Sequence, residues 1–233
     1  MPQTRIATNL NKVIERITQA ALRAGRDPKD IQLVAVSKTV PAETVREAIE
    51  AGVTILGENY VQEARGKIEE IGHNPRWDFI GHLQSNKAKY VVDLFDIIHS
   101  VDRLSLAREI SKLAEKQGKT IKILVQVNIS GEEVKSGIDP GGVNPLVKEI
   151  VSLPNVSLEG LMTMPPFFDD PEKTRPYFIA LRKLRDSLRE EMGEYTDLKE
   201  LSMGMSGYFE IAIEEGSTLV RVGTAIFGER TYT

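Results

Sequence analysis

The chain has 233 residues, 41% of them apolar and 27% charged, which suits an α/β domain able to bury a real core. Its formal net charge of −4 argues against broad nucleic-acid binding, which leaves a basic footprint. The absence of cysteine excludes disulfides, thiolate catalysis and thiolate metal sites, and points to a cytoplasmic setting.

"MPQTRIATNLNKVIERITQ" has no unbroken apolar core of the kind a secretory signal needs, and no stretch approaches the ~20 apolar residues of a membrane span. It reads instead as an amphipathic helix. Leu10, Val13, Ile14, Ile17 and Ala21 recur at three- and four-residue steps, and Gly25 ends the pattern. The sequence then alternates. A buried strand at 31–36, centred on 33–36, precedes a helix at 41–51 that Pro41 opens. Strand 53–56 precedes helix 60–71, strand 77–80 precedes helix 87–94, and strand 96–99 precedes helix 103–117. Strand 121–128 leads into an irregular stretch, 130–144, and a helix at 145–153. Strand 157–162 precedes helix 171–192, strand 200–203 precedes helix 208–215, and strand 219–222 leads into a short tail.

Strands alternating with helices imply parallel pairing through right-handed crossovers. Eight of them in a chain of this length predict a single (β/α)8 TIM-type barrel with an extra N-terminal helix, one domain over 1–233. An open doubly wound sheet also alternates. It needs a Gly-rich turn after its first strand, and this chain has Ser37-Lys38-Thr39-Val40-Pro41 there.

In a barrel the functional face is the C-terminal end of the strands. Lys38 follows the first strand, Gly57-Glu58-Asn59 the second, Gly81-His82 the third and Met164 the sixth. "SMGMSG" puts Ser202, Gly204, Met205 and Ser206 at the seventh, and "RVGTA" puts Arg221, Gly223 and Thr224 at the eighth. Barrels often hold phosphate with the loops after their last two strands. Glycines there let the backbone come close, hydroxyls donate, and the helix that begins at Ser206 favours an anion. A lysine across the mouth from such a cradle suggests pyridoxal 5′-phosphate (PLP), joined to the amine as a Schiff base. A Schiff-base aldolase, or a barrel binding another phosphorylated metabolite without a covalent bond, stays open on residue types alone.

His73 lies in a polar turn and faces solvent, whereas His82 and His99 end strands and could share the mouth. Glu58 is the nearest carboxylate and has no ligand spacing to them, so no metal site is expected. Glu132, Glu133 and Lys135 are placed to close over the mouth.

"LVAVSKTVP", "GENYVQEA", "WDFIGHLQSNKAKY", "GLMTMPPF", "LSMGMSGYFEIAI" and "LVRVGTAIFG" resemble the YggS/PROSC family of pyridoxal phosphate homeostasis proteins. The resemblance runs from about residue 31 to residue 230, with the motifs in order. It implies the barrel of the alanine racemase N-terminal domain, with PLP on Lys38. It implies that Ser206, Gly223 and Thr224 contact the phosphate while Ser202, Gly204 and Met205 shape that loop. It implies that Arg221 lies beside the pyridine nitrogen and that Asn59 and Met164 line the cofactor. One departure is visible: Tyr208 stands where the family more usually has an acidic residue, which puts the capping of the following helix in doubt.

Alanine racemases take a second base from another domain, and this sequence ends soon after its eighth strand, so that base is expected to be missing. The resemblance therefore implies a monomeric carrier in PLP homeostasis, serving PLP-dependent client enzymes. The alternative is a weak amino-acid racemase with Tyr60 or His82 as the second base.

Overall fold

The computed structural model describes residues 4–132 and 135–229. In chain order the elements are α1 (Arg5–Arg23), β1 (Gln32–Val36), α2 (Ala42–Glu50), β2 (Ile55–Glu58), α3 (Val61–Ile71), β3 (Arg76–Phe79) and α4 (Ala88–Leu94). Next come β4 (Ile97–Val101), α5 (Leu104–Lys116), β5 (Ile121–Gln126), α6 (Pro140–Ile150), β6 (Val156–Met162) and α7 (Arg175–Met192). The last are β7 (Glu200–Met205), α8 (Phe209–Glu214), β8 (Leu219–Val222) and α9 (Thr224–Phe227). The strands run parallel and close in chain order, β1 pairing with both β2 and β8. The expected TIM-type barrel is what forms, and the open sheet is not.

Side chains alternate faces along a strand, so parity sorts them into two layers. Val34, Ile55, Ile97, Leu124, Met162 and Leu219 share one buried cluster inside the barrel. The intervening residues, among them Ala35, Leu56, Ile98, Val125, Leu161 and Val220, pack outward against the helices in a larger cluster. Lys38 has the parity of Val34 and Val36, which aims it at the barrel axis. Ser37 and Glu58 have the opposite parity and lie between sheet and helices.

α1 forms as the periodicity requires, and the Thr4 hydroxyl caps it by accepting from the Ala7 N–H at 3.2 Å. It buries Leu10, Val13, Ile17 and Ala21, whereas Ile14, expected in the same stripe, is 45% exposed. The helix lies against α8 and α9, so it covers the part of the barrel that carries the last two loops.

Several boundaries differ from the sequence reading, three of them in ways that bear on the elements around the site. β2 runs two residues further than expected and takes in Gly57 and Glu58, because Glu58 finds a buried partner on α3. α6 begins at Pro140 rather than Pro145 and encloses Pro145, whose missing N–H falls in the second turn of the helix. α9 forms at Thr224–Phe227, where the sequence reading has only a tail. Among the described residues, no helix is long and apolar enough to cross a membrane.

Candidate functional site

A cavity of about 590 Å³ opens at the C-terminal end of the barrel. Of the ten residues expected at a cofactor, eight line it: Lys38, Asn59, Met164, Met205, Ser206, Arg221, Gly223 and Thr224. Ser202 and Gly204 do not. Phe167, Phe168 and Tyr208 also line it, and sequence reasoning missed the two phenylalanines. Apolar residues in a loop carry no periodicity, and Phe167, at 86% exposed, reads as ordinary surface.

Lys38 stands just beyond β1, on a turn closed by the Val40 N–H to the Ser37 carbonyl at 3.0 Å. The ladder continues to Ser37, whose N–H reaches the Gly57 carbonyl at 3.0 Å. Thr39 follows at φ 63°, a left-handed conformation unusual for a β-branched residue. Its N–H donates to Glu63 Oε1 at 2.5 Å. Beneath the turn, Lys67 Nζ donates to the Ser37 carbonyl at 2.5 Å, to Glu58 Oε1 at 2.7 Å and to Glu63 Oε1 at 2.6 Å. The Ser37 hydroxyl donates to the same Glu58 oxygen at 2.6 Å. Glu58 therefore faces α3 and not the mouth, which removes it as a metal ligand.

Asn59 sits where β2 ends, and Gly81 makes room for it. A Cβ on Gly81 would stand 2.3 Å from the Asn59 carbonyl oxygen. Asn59 Oδ1 is buried with no partner among the described residues, a polar atom on the wall of an apolar-and-polar cavity.

The last two loops meet in a cup. Gly204 takes φ 96°, and a Cβ there would come within 2.6 Å of the Ala212 Cβ, so only glycine lets β7 fold onto α8. Ser206 Oγ accepts the Gly223 N–H at 3.2 Å, which leaves the hydroxyl hydrogen to donate elsewhere. α9 starts at Thr224, and the first amides of a helix have no intrahelical acceptor. Tyr208 occupies the N-cap of α8 without a side-chain cap, as its departure from the family pattern implied. Its ring packs on Phe178 at 5.9 Å, and burial raises its phenol pKa while Arg221 lowers it. The upward shift keeps the phenol a hydrogen-bond donor at neutral pH.

Arg221 is 4% exposed at the cavity floor. Its Nη2 donates to the Thr163 carbonyl at 2.9 Å and its Nη1 to the Ser202 hydroxyl oxygen. Burial pushes its pKa down to about 10, so it stays charged at neutral pH. Ser202, expected to shape the phosphate loop, thus points into the barrel. His99, expected at the mouth, is fully buried there too, with Nδ1 2.9 Å from Ser202 Oγ and Nε2 3.1 Å from Asp78 Oδ2. His82 remains at the rim, 3.2 Å from the Ser136 hydroxyl. Lys135 pairs with Glu132 at 3.0 Å in the loop that docks there, while Glu133 lies outside the described residues. The cavity lining includes neither Tyr60 nor His82.

Burial lowers the His99 pKa below its ordinary 6.5, against the attraction of Asp78 and with help from Arg221 and Arg76. Those three, from β8 and β3, are the charges that face it. A depressed native pKa means that stability is present above pH 6.5 and is lost as pH falls, because only the unfolded chain takes up the proton. Below pH 6.5, urea denaturation is expected to show a His99-dependent loss approaching 1.4 kcal/mol per pH unit. His99→Gln should remove that component of the slope. An unchanged slope would contradict the buried neutral ring.

The family model of the alanine racemase N-terminal domain matches residues 8–231. The chain belongs to this family. It is 48% identical over 224 residues to the pyridoxal phosphate homeostasis protein of Aquifex aeolicus (strain VF5), covering 96% of this chain and 97% of that one. It is 42% identical over 232 residues to the protein of the same name from Escherichia coli (strain K12), covering 98% of each. The structure of PipY from Synechococcus elongatus PCC7942 with PLP bound superposes with a TM-score of 0.83 at 36% identity. That match covers 96% of this chain and all of PipY. An alanine racemase of Clostridium difficile 630, in complex with cycloserine, shares the fold, with a TM-score of 0.75 at 18% identity. This family member spans 60% of that racemase chain.

Proposed function

We propose that the chain binds PLP at the barrel mouth, covalently through Lys38, and serves in PLP homeostasis and amino-acid and keto-acid balance. What supports this reading is the convergence of an amine, a buried guanidinium and an anion cup on one cavity. Full-length relatives carry the homeostasis name, and a structural relative is described with PLP bound.

The residues fit the group. When bound, PLP supplies an aldehyde that condenses with a primary amine, with loss of water, and a phosphate that anchors the other end. Lys38 offers the amine. The Ser206 hydroxyl, the Gly223 and Thr224 region and the amides that open α9 suit the phosphate. Asn59 and Met164 bound the ring, and the orphan Asn59 Oδ1 provides a polar contact on that wall. The Arg221 guanidinium suits a pyridine nitrogen. Beside such a cation the nitrogen stays unprotonated, since a second positive charge is disfavoured, and an unprotonated ring is a weak electron sink. That favours holding PLP over turning substrates over. In this role the chain acts as a cytoplasmic monomer, and PLP-dependent client enzymes receive the cofactor.

The decisive measurement is mass spectrometry of the purified protein after loading with PLP and reduction with borohydride. A pyridoxyl adduct confined to Lys38 is expected. An unmodified Lys38 peptide in a protein that still binds PLP would overturn the covalent reading. A protein that binds no PLP at all would overturn the function.

A further inference from the structure

Asp78, His99, Ser202 and Arg221 all take inward-facing positions, on β3, β4, β7 and β8. Together they form a polar line through the barrel interior, beside the apolar cluster that contains Val34, Leu124 and Met162. At its far end Arg76 donates from Nε and Nη2 to the two oxygens of Asp78, each at 2.9 Å, and from Nη1 to Gln32 Oε1 at 2.7 Å. At its near end stands Arg221, on the cavity floor.

The hydrogens along this line can be assigned. A carboxylate only accepts, so His99 Nε2 must carry the hydrogen that faces Asp78 Oδ2. A neutral ring then has a bare lone pair at Nδ1, and the Ser202 hydroxyl must donate to it. The Ser202 oxygen is left as an acceptor, which is the role that Arg221 Nη1 requires of it. Every donor from Arg221 onward points toward Asp78. The carboxylate is already shared with Arg76, and two neutral groups separate it from Arg221. Among the described residues the guanidinium is therefore oriented by hydrogen bonds and not by an ion pair of its own.

We propose that His99 and Asp78 are positioning residues for Arg221, acting through Ser202 to fix the guanidinium at the cavity floor. Its bearing on PLP rests on the function proposed above, whereas the arrangement of hydrogens does not.

The test begins with the protein free of PLP. Long-range proton–nitrogen NMR between pH 5 and pH 8 should show His99 as the Nε2–H tautomer with no titration. A titrating His99, or an Nδ1–H tautomer, overturns the proposal. In the same protein, the Arg221 guanidinium hydrogens should exchange slowly. They should become averaged in His99→Leu and recover in His99→Asn, whose carboxamide can still accept from Ser202. Unchanged Arg221 signals in a folded His99→Leu also overturn it. With PLP carrying nitrogen-15 in its ring, His99→Leu should bind about tenfold more weakly and shift the ring-nitrogen signal. A purely structural role would lower stability without moving that signal, and that result counts against positioning. If the wild type binds no PLP, the proposed function fails, and the Arg221 measurement still decides the proposal.

Discussion

In Lys38→Ala, borohydride treatment of protein mixed with PLP is expected to leave no pyridoxyl mass on the chain. The expectation rests on placement. Lys38 has the inward parity of β1 and lines the cavity, whereas Lys67, the nearest buried amine in sequence, points to the opposite layer and is engaged three times. Lys38→Arg should lose the adduct equally, because a guanidinium stays protonated and cannot condense with an aldehyde. Both variants should fold, with unfolding free energies within about 1 kcal/mol of wild type, since a partly buried side chain just beyond a strand end carries little of the core. Arg221 and the Ser206–Gly223 cup remain in both, so weak and salt-sensitive binding should persist. Mass spectrometry and denaturation together check this result. An adduct of wild-type yield on another lysine would show that the cavity does not direct the chemistry.

The second large effect lies under the Lys38 turn. Lys67→Met is expected to lower stability by about 3–5 kcal/mol at pH 8. The Lys67 side chain is 6% exposed and that of Glu58 is fully buried. The ammonium has three donors and they meet three oxygens, on Ser37, Glu58 and Glu63. Removing it strands a buried carboxylate, whose other oxygen already has no partner among the described residues.

The loss should shrink at acid pH. Burial raises the Glu58 carboxyl above its ordinary 4.5, and Lys67 opposes that shift. Without Lys67 the native value rises further. The folded protein then takes up a proton that the unfolded chain does not, so the penalty falls as pH drops through the raised native value toward 4.5. Urea titrations followed by the single tryptophan, Trp77, at pH 8 and pH 5 would read the difference. A loss below about 1 kcal/mol, or one equal at both pH values, would mean that the trio is not a buried charge pair. The same network holds the Ser37 carbonyl and the Thr39 N–H, so the variant should also form the Lys38 adduct less completely.

Much of the architecture is legible in residue order. Apolar runs such as LVAV and ILVQV, broken by helical periodicity, are enough to predict the alternation and the barrel, because parallel strands are covered on both faces and read as continuous hydrophobic segments. The errors have local causes. Gly57 and Glu58 look like loop residues, yet they extend β2 because α3 supplies Lys67. Pro145 looks like a helix opener, but Pro140 fills that position.

The candidate site divides in the same way. Position at a strand's C-terminal end is a matter of counting, so Lys38, Ser206, Gly223 and Thr224 could be named from the sequence alone. Ser202 and His99 also stand near strand ends, but they face the barrel interior and not the cavity. Parity says that such residues point inward, yet it does not say how far below the mouth they lie or which residues they meet across the barrel. The Ser202 partner comes from far along the chain, 103 residues beyond His99, whereas Asp78 stands on the neighbouring β3. Sequence alone thus determined the strand count and the position of Lys38 at a strand's C-terminal end. The closure of β1 against β8 decided the depth and orientation of Arg221, because only a closed barrel brings those strands around one interior.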